Sequence, residues 1–86
     1  MNDLKKKLRY QSWYRRCKET DGVLGYFADR YLPDASEADT TLFKALLDED
    51  DWDIWRWITQ EQPNPPEYDT LLTQIRAFQK EKHVPA

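Results

Sequence analysis

Apolar residues recur every three to four positions in five separate stretches of the chain, and nowhere do they alternate with period two. In the first stretch Leu4, Leu8, Ser12 and Arg15 lie along one stripe with Tyr10, Trp13, Tyr14 and Cys17 beside it, which predicts helix 1 over about residues 3 to 15. Val23, Leu24, Phe27, Tyr31 and Leu32 keep the helical period in a second stretch, and Pro33 stops it because proline has no N–H for a further turn. Ser36 is suited to cap helix 3, with Asp39 three residues later in the manner of a capping box, ahead of the apolar face Leu42, Phe43, Leu46 and Leu47. The run "DEDD" places negative charge at the start of helix 4, where the positive end of the helix dipole favours it. Of the aromatic run that follows, Trp52, Trp55 and Ile58 are expected in the core, with Trp57 alone projecting far enough round to be a surface candidate. "QPNPP" breaks the chain, Pro66 suits a first helical turn, and Tyr68, Leu71, Leu72, Ile75 and Phe78 mark helix 5. The predicted fold is all-α, a compact five-helix bundle that forms a single domain over residues 1–86, ordered from about 3 to 80 with a flexible tail at 81–86. Phe27, Phe43, Leu46, Trp55 and Leu72 are expected to be buried together.

Composition agrees with that reading. At 86 residues, 40% hydrophobic and 34% charged with only two glycines, the chain suits one modest helical core better than a disordered tail or a turn-rich sandwich. Its longest apolar runs fall far short of the roughly 20 residues a membrane span needs. The opening "MNDLKKKLRY" has no apolar signal-peptide core, and the single cysteine, Cys17, permits no internal disulfide. A protein of a reducing compartment is expected, cytoplasmic and bacterial in type, without membrane insertion.

Charge is unevenly spread. Residues 1 to 18 carry seven Lys/Arg against one Asp, residues 19 to 68 carry three against thirteen acids, and the remainder is nearly balanced. The molecule should be a dipole with a basic first helix, yet the acidic body would repel phosphate, so nucleic acid is not the expected partner. Nor does a reaction centre emerge. His83 stands alone in a polar tail without metal-ligand spacing, and Cys17, flanked by Arg16 and Lys18, has no histidine or second cysteine to make it more than a partly exposed thiol. Glu19 and Asp21 have no nucleophile, glycine-rich phosphate loop or metal cluster for company. No catalytic, cofactor-binding or metal residue is assigned, and the chain is read as a non-enzyme that carries no cofactor of its own.

What stands out is "WYRRCKETDG", residues 13–22, at the predicted junction of helices 1 and 2. Cations there complement the end of helix 1 and acids the start of helix 2, but one of each would suffice at a few tenths of a kcal/mol apiece. A surplus of charge-assisted donors and acceptors at a bend is what docking another protein requires, and Arg15, Arg16, Lys18 and Glu19 are the predicted partner-binding residues. As exposed charges, Arg15 and Glu19 are expected to matter for binding and hardly at all for stability.

From about Leu8 to Phe78 the chain resembles the SdhE-type succinate dehydrogenase assembly factors, which include the mitochondrial flavin-attachment factor of the same complex. The resemblance is carried by "RRCKETDGVLGYFADRYLP", "SEADTTLFKALLDEDDWDIWRWIT" and the proline break before the last helix. The family's Arg-Gly-x-x-Glu signature falls on Arg15 to Glu19, with Arg15 and Glu19 matching and Arg16 standing in place of the glycine. This resemblance implies a five-helix chaperone that binds the flavoprotein subunit of succinate dehydrogenase, and often of fumarate reductase, and promotes covalent attachment of FAD to a histidine of that subunit. It also implies Arg15 and Glu19 as central contacts, Arg16 and Lys18 being candidates on position and charge. An alternative role, an antitoxin-like regulator of a toxin or cytoskeletal partner, comes from the same family.

Overall fold

The computed structural model describes residues 3–15 and 18–81, with backbone alone for 18–21. Five α-helices follow one another: α1 Asp3–Trp13, α2 Lys18–Tyr31, α3 Glu37–Leu47, α4 Asp51–Ile58 and α5 Asp69–Lys80. A 3-10 turn over Leu32–Asp34 closes α2 at Pro33, and a second over Pro66–Tyr68 leads into α5. Among the described residues there is no strand, so the all-α expectation holds. Ser36 caps α3 by accepting the Asp39 N–H at 3.0 Å, and Asp50 caps α4 by accepting the Trp52 N–H at 3.1 Å, each satisfying a donor that the first helical turn leaves without a partner. Helix α1 is two residues shorter than its period suggests. Its last turn closes with Tyr14 N–H on the Tyr10 carbonyl at 3.2 Å, and the chain then turns away toward α4.

One apolar cluster fills the centre. Phe27 of α2 is its hub, stacking on Tyr31 with ring centroids 4.8 Å apart, meeting Phe78 of α5 edge-on at 5.6 Å and Phe43 of α3 at 6.0 Å. Leu24, Leu32, Phe43, Leu46, Ile54, Leu72 and Ile75 are wholly enclosed around it, and burial of each such side chain is worth about 1.5–3 kcal/mol. Helix α5 contributes four buried apolar side chains besides Tyr68 from the turn before it, while α1 contributes one, Leu8, beside the buried Ser12, whose hydroxyl donates to the Leu8 carbonyl at 2.8 Å. Leu4, expected on the same stripe, is largely exposed.

The tryptophans of α4 are placed differently from the expectation. Because α4 starts at Asp51, its buried stripe is Ile54, Trp57 and Ile58, at spacings of three and four. Trp57, the expected surface residue, is 8% exposed and stacks on Tyr68 at 5.9 Å. Trp52 lies about 160° round the helix from Ile54 and is 50% exposed, and Trp55 is only half-buried at the edge of the core. The end of α4 is closed from α5: Arg76 Nη2 donates to the Trp57 carbonyl at 2.6 Å and Nε to the Ile58 carbonyl at 3.1 Å, covering acceptors that the last turn leaves open. Gln60 then reverses the chain at φ 64°, with Glu61 N–H on the Arg56 carbonyl at 2.9 Å, a helix end that usually employs glycine.

Helix α1 lies against α2 through an unusually close contact. The Trp13 ring rests over Gly25, where a methyl group would stand 2.6 Å from Cε3 and 2.7 Å from Cε2. The Trp13 indole N–H reaches the Asp29 carboxylate at 3.3 Å, and Arg9 Nε donates to the same carboxylate at 2.8 Å. Alanine at position 25 would gain about 1 kcal/mol of helix propensity. We expect Gly25→Ala nonetheless to lower stability by about 1–3 kcal/mol, because the displaced indole also loses Asp29. Thermal melting checks this, and a variant melting at or above the wild type would show that Trp13 does not depend on the gap.

Candidate functional site

The bend between α1 and α2 is anchored by Arg15. Its guanidinium pairs with the carboxylate of Asp51, and Nη2 also donates to the Glu49 carbonyl at 3.3 Å. Asp51 is the first residue of α4, so its charge is favoured by the helix dipole as well as by the guanidinium. The two side chains are 10% and 11% exposed. This corrects the expectation that Arg15 is an exposed helix-end charge: it ties the end of α1 to the start of α4, 36 residues along the chain. Periodicity reads charges against their own helix and does not register a partner so distant.

The other predicted partner-binding residues are less fully in view. Lys18 and Glu19 are the first two residues of α2, their side chains not described, and Arg16 and Cys17 lie outside the described residues, as does His83. Arg16→Gly, the change that would restore the family glycine, therefore has no structural counterpart here.

Beside Arg15 the structure gathers side chains that the sequence reading did not assign to a site. Tyr10 and Tyr14, one helical turn apart, are 66% and 71% exposed, with ring centroids 4.6 Å apart. They face the turn between α3 and α4 across a cleft of about 450 Å³, with Leu47 in its lining and Asp48, Glu49 and Asp50 on the far side. Two tyrosines at i and i+4, off the buried stripe of a helix, were the only signal of this pair. The Tyr68 hydroxyl donates to Glu49 Oε2 at 2.9 Å from beneath. Burial, then this hydrogen bond, then the negative charge of Glu49, Glu67 and Asp48 push the Tyr68 phenol up to about 12. The Lys44–Asp48 pair at 3.4 Å is exposed and contributes little. Among the described residues no group of three or more His, Cys, Asp and Glu is arranged to hold a metal ion, and no helix is long and apolar enough to cross a membrane.

Residues 6–79 match the family described as the flavinator of succinate dehydrogenase. Over 73 residues the chain is 44% identical to the mitochondrial succinate dehydrogenase assembly factor 2 of Drosophila virilis, covering 83% of this chain and 46% of that protein. Over the same length it is 38% identical to the factor of that name in Drosophila grimshawi, 83% and 50% of the two chains. With assembly factor 2-A of Drosophila mojavensis the identity is 41%, covering 83% and 46%. The chain spans about half the length of the curated relatives it matches. No solved structure matches it.

Two outcomes are expected from the site's geometry. Arg15→Ala should destabilise the fold by about 3 kcal/mol, because it takes a close guanidinium from the enclosed Asp51 carboxylate, and adding Asp51→Ala should restore part of the loss. Chemical denaturation of the two variants measures this, and an Arg15→Ala protein as stable as the wild type would show the pair to be unformed in solution. The second concerns alkali. The folded Tyr68 holds its proton to about 12, against about 10 for an unperturbed tyrosine. Over that interval the folded chain binds more protons than the unfolded one, so stability present below pH 10 declines as pH rises toward 12. Tyr68→Phe should flatten that part of the stability curve, and an unchanged slope would disprove it.

Proposed function

The chain belongs to the family described as flavinators of succinate dehydrogenase, and on that premise we propose that it is an assembly factor which binds the flavoprotein subunit of that enzyme and promotes covalent attachment of FAD to it. The observation that carries this reading is the family match across residues 6–79, which takes in all five helices and the bend. The reading extends to the fumarate reductase flavoprotein as a further client and to a cytoplasmic setting.

In this reading the chain is not the catalyst. Bond formation draws on the reactivity of the flavin and of the flavoprotein side chain that receives it. The assembly factor contributes by holding the flavoprotein in the geometry in which those two groups meet, a positioning effect that can be worth several kcal/mol of a barrier. The bend is the proposed contact. Arg16, Lys18 and Glu19 supply charge-assisted hydrogen bonds to the client, and Arg15 belongs to the same site by fixing the bend against α4. The Arg15–Asp51 pair supports this division of labour, because a guanidinium already bonded to a carboxylate and a carbonyl is better placed to set the path of the chain than to seek a new partner.

The test is reconstitution with the flavoprotein. Protein-bound flavin, read as fluorescence in a denaturing gel, should rise when the chain is present, whereas the chain purified alone should hold no FAD. Glu19→Ala should weaken binding to the flavoprotein by more than about 1 kcal/mol while leaving the melting temperature nearly unchanged. Flavin attachment that is indifferent to the chain would overturn the proposal.

A further inference from the structure

The cleft between Tyr10–Tyr14 and the α3–α4 turn is not accounted for by the fold or by the bend. Neither ring is part of the core, and together they leave two large aromatic faces to water on one side of α1. Exposed aromatic side chains in a concave setting are the usual anchors of protein recognition, since they supply contact area at small cost in side-chain entropy. We propose that this cleft is a second docking point, which takes an arginine side chain carried on an exposed segment of the partner protein. That the partner is the flavoprotein rests on the function proposed above, whereas the chemistry of the cleft stands on its own residues.

Charge selects the occupant. Four carboxylates line the cleft, those of Asp48, Glu49, Asp50 and Asp51, and among the described residues the one lining cation is Arg15, bonded to Asp51. Glu49 accepts the Tyr68 hydroxyl and Asp50 accepts the Trp52 N–H through one oxygen each, and an ionised carboxylate has acceptor sites to spare beyond one such bond. These internal bonds restrain the two carboxylates and limit what they lose in ordering on binding. An acidic segment would be repelled. A purely apolar one would strip water from the carboxylates and offer them nothing. A cation satisfies both walls, and arginine does so better than lysine: its flat guanidinium stacks on a tyrosine ring while its N–H fork meets a carboxylate.

The test has two arms, both with the full chain. In the first, 15N-labelled protein is titrated with the capped peptide Gly-Arg-Gly-Arg-Gly and with its lysine and glutamate counterparts, and amide shifts are mapped. Shifts that centre on Tyr10, Tyr14 and residues 47–50, strongest with arginine and lost in the Tyr10→Ala/Tyr14→Ala variant, are the expected result. Shifts that lie elsewhere, that are equal for the glutamate peptide, or that survive the double variant overturn the proposal. In the second arm, Tyr10→Ala/Tyr14→Ala and Asp48→Lys should each weaken flavoprotein binding by about tenfold, with wild-type melting temperatures to show that the fold is intact. Wild-type affinity in both variants would remove the cleft from the interface. A wild-type chain that does not bind the flavoprotein at all would overturn the choice of client, while the peptide arm would still decide the cleft. Self-association of the chain that Tyr10→Ala/Tyr14→Ala abolishes would assign the cleft to a second copy and overturn the proposal.

Discussion

The ion pair between Arg15 and Asp51 joins the two parts of the molecule that differ most in how they are held. Helices α2 to α5 close around Phe27 and are secured by apolar burial. Helix α1 buries one leucine and one serine, too little to hold eleven residues in place against the entropy of releasing them. Beyond the packing of Trp13 on Gly25 and Tyr26, what attaches it is polar: Arg15 on Asp51, Arg9 and Trp13 on Asp29, and Lys5 Nζ on the Ala35 carbonyl at 2.8 Å. Of these only the Arg15–Asp51 pair is well shielded from water, so it is the one whose strength salt screens least.

Such a pair does more for geometry than for net stability. Withdrawing a guanidinium and a carboxylate from water costs several kcal/mol per ion, which their attraction offsets only when the remaining hydrogen bonds are also met. Here they are partly met, by the Glu49 carbonyl on one side and the start of α4 on the other. The result defines where α1 ends and in which direction the chain leaves it. Gly25 has a similar role on the opposite side, since only the absence of a side chain lets Trp13 settle over α2 and bring its N–H to Asp29.

Most of the helical framework was legible in the sequence, because it is made of local signals. Ser36 and Asp50 cap, Pro33 ends α2, and the stripes from Val23 to Leu32 and from Tyr68 to Phe78 each have one unambiguous buried face. The tryptophans of α4 were not legible. In a helix of eight residues with five apolar side chains, several faces look alike, and the choice falls to contacts with Tyr68 and α5 that no local pattern contains. The site divides along the same line. That the bend is dense in charge can be read directly, but that Arg15 is spoken for by Asp51, and that Tyr10 and Tyr14 overlook an acidic turn, depends on residues more than thirty positions apart being brought together.

This arrangement bears on how a partner would engage the bend. A client carboxylate that sought Arg15 directly would have to displace Asp51 from a guanidinium that it already holds at the head of α4. Contact that leaves the pair intact can instead use the position that it sets. An arginine arriving in the tyrosine cleft would go further, because it adds positive charge beside the carboxylates of Asp48, Glu49, Asp50 and Asp51. Binding there would reinforce the polar attachment of α1 instead of competing with it, and the helix with the smallest share of the core would become better fixed when the partner is bound.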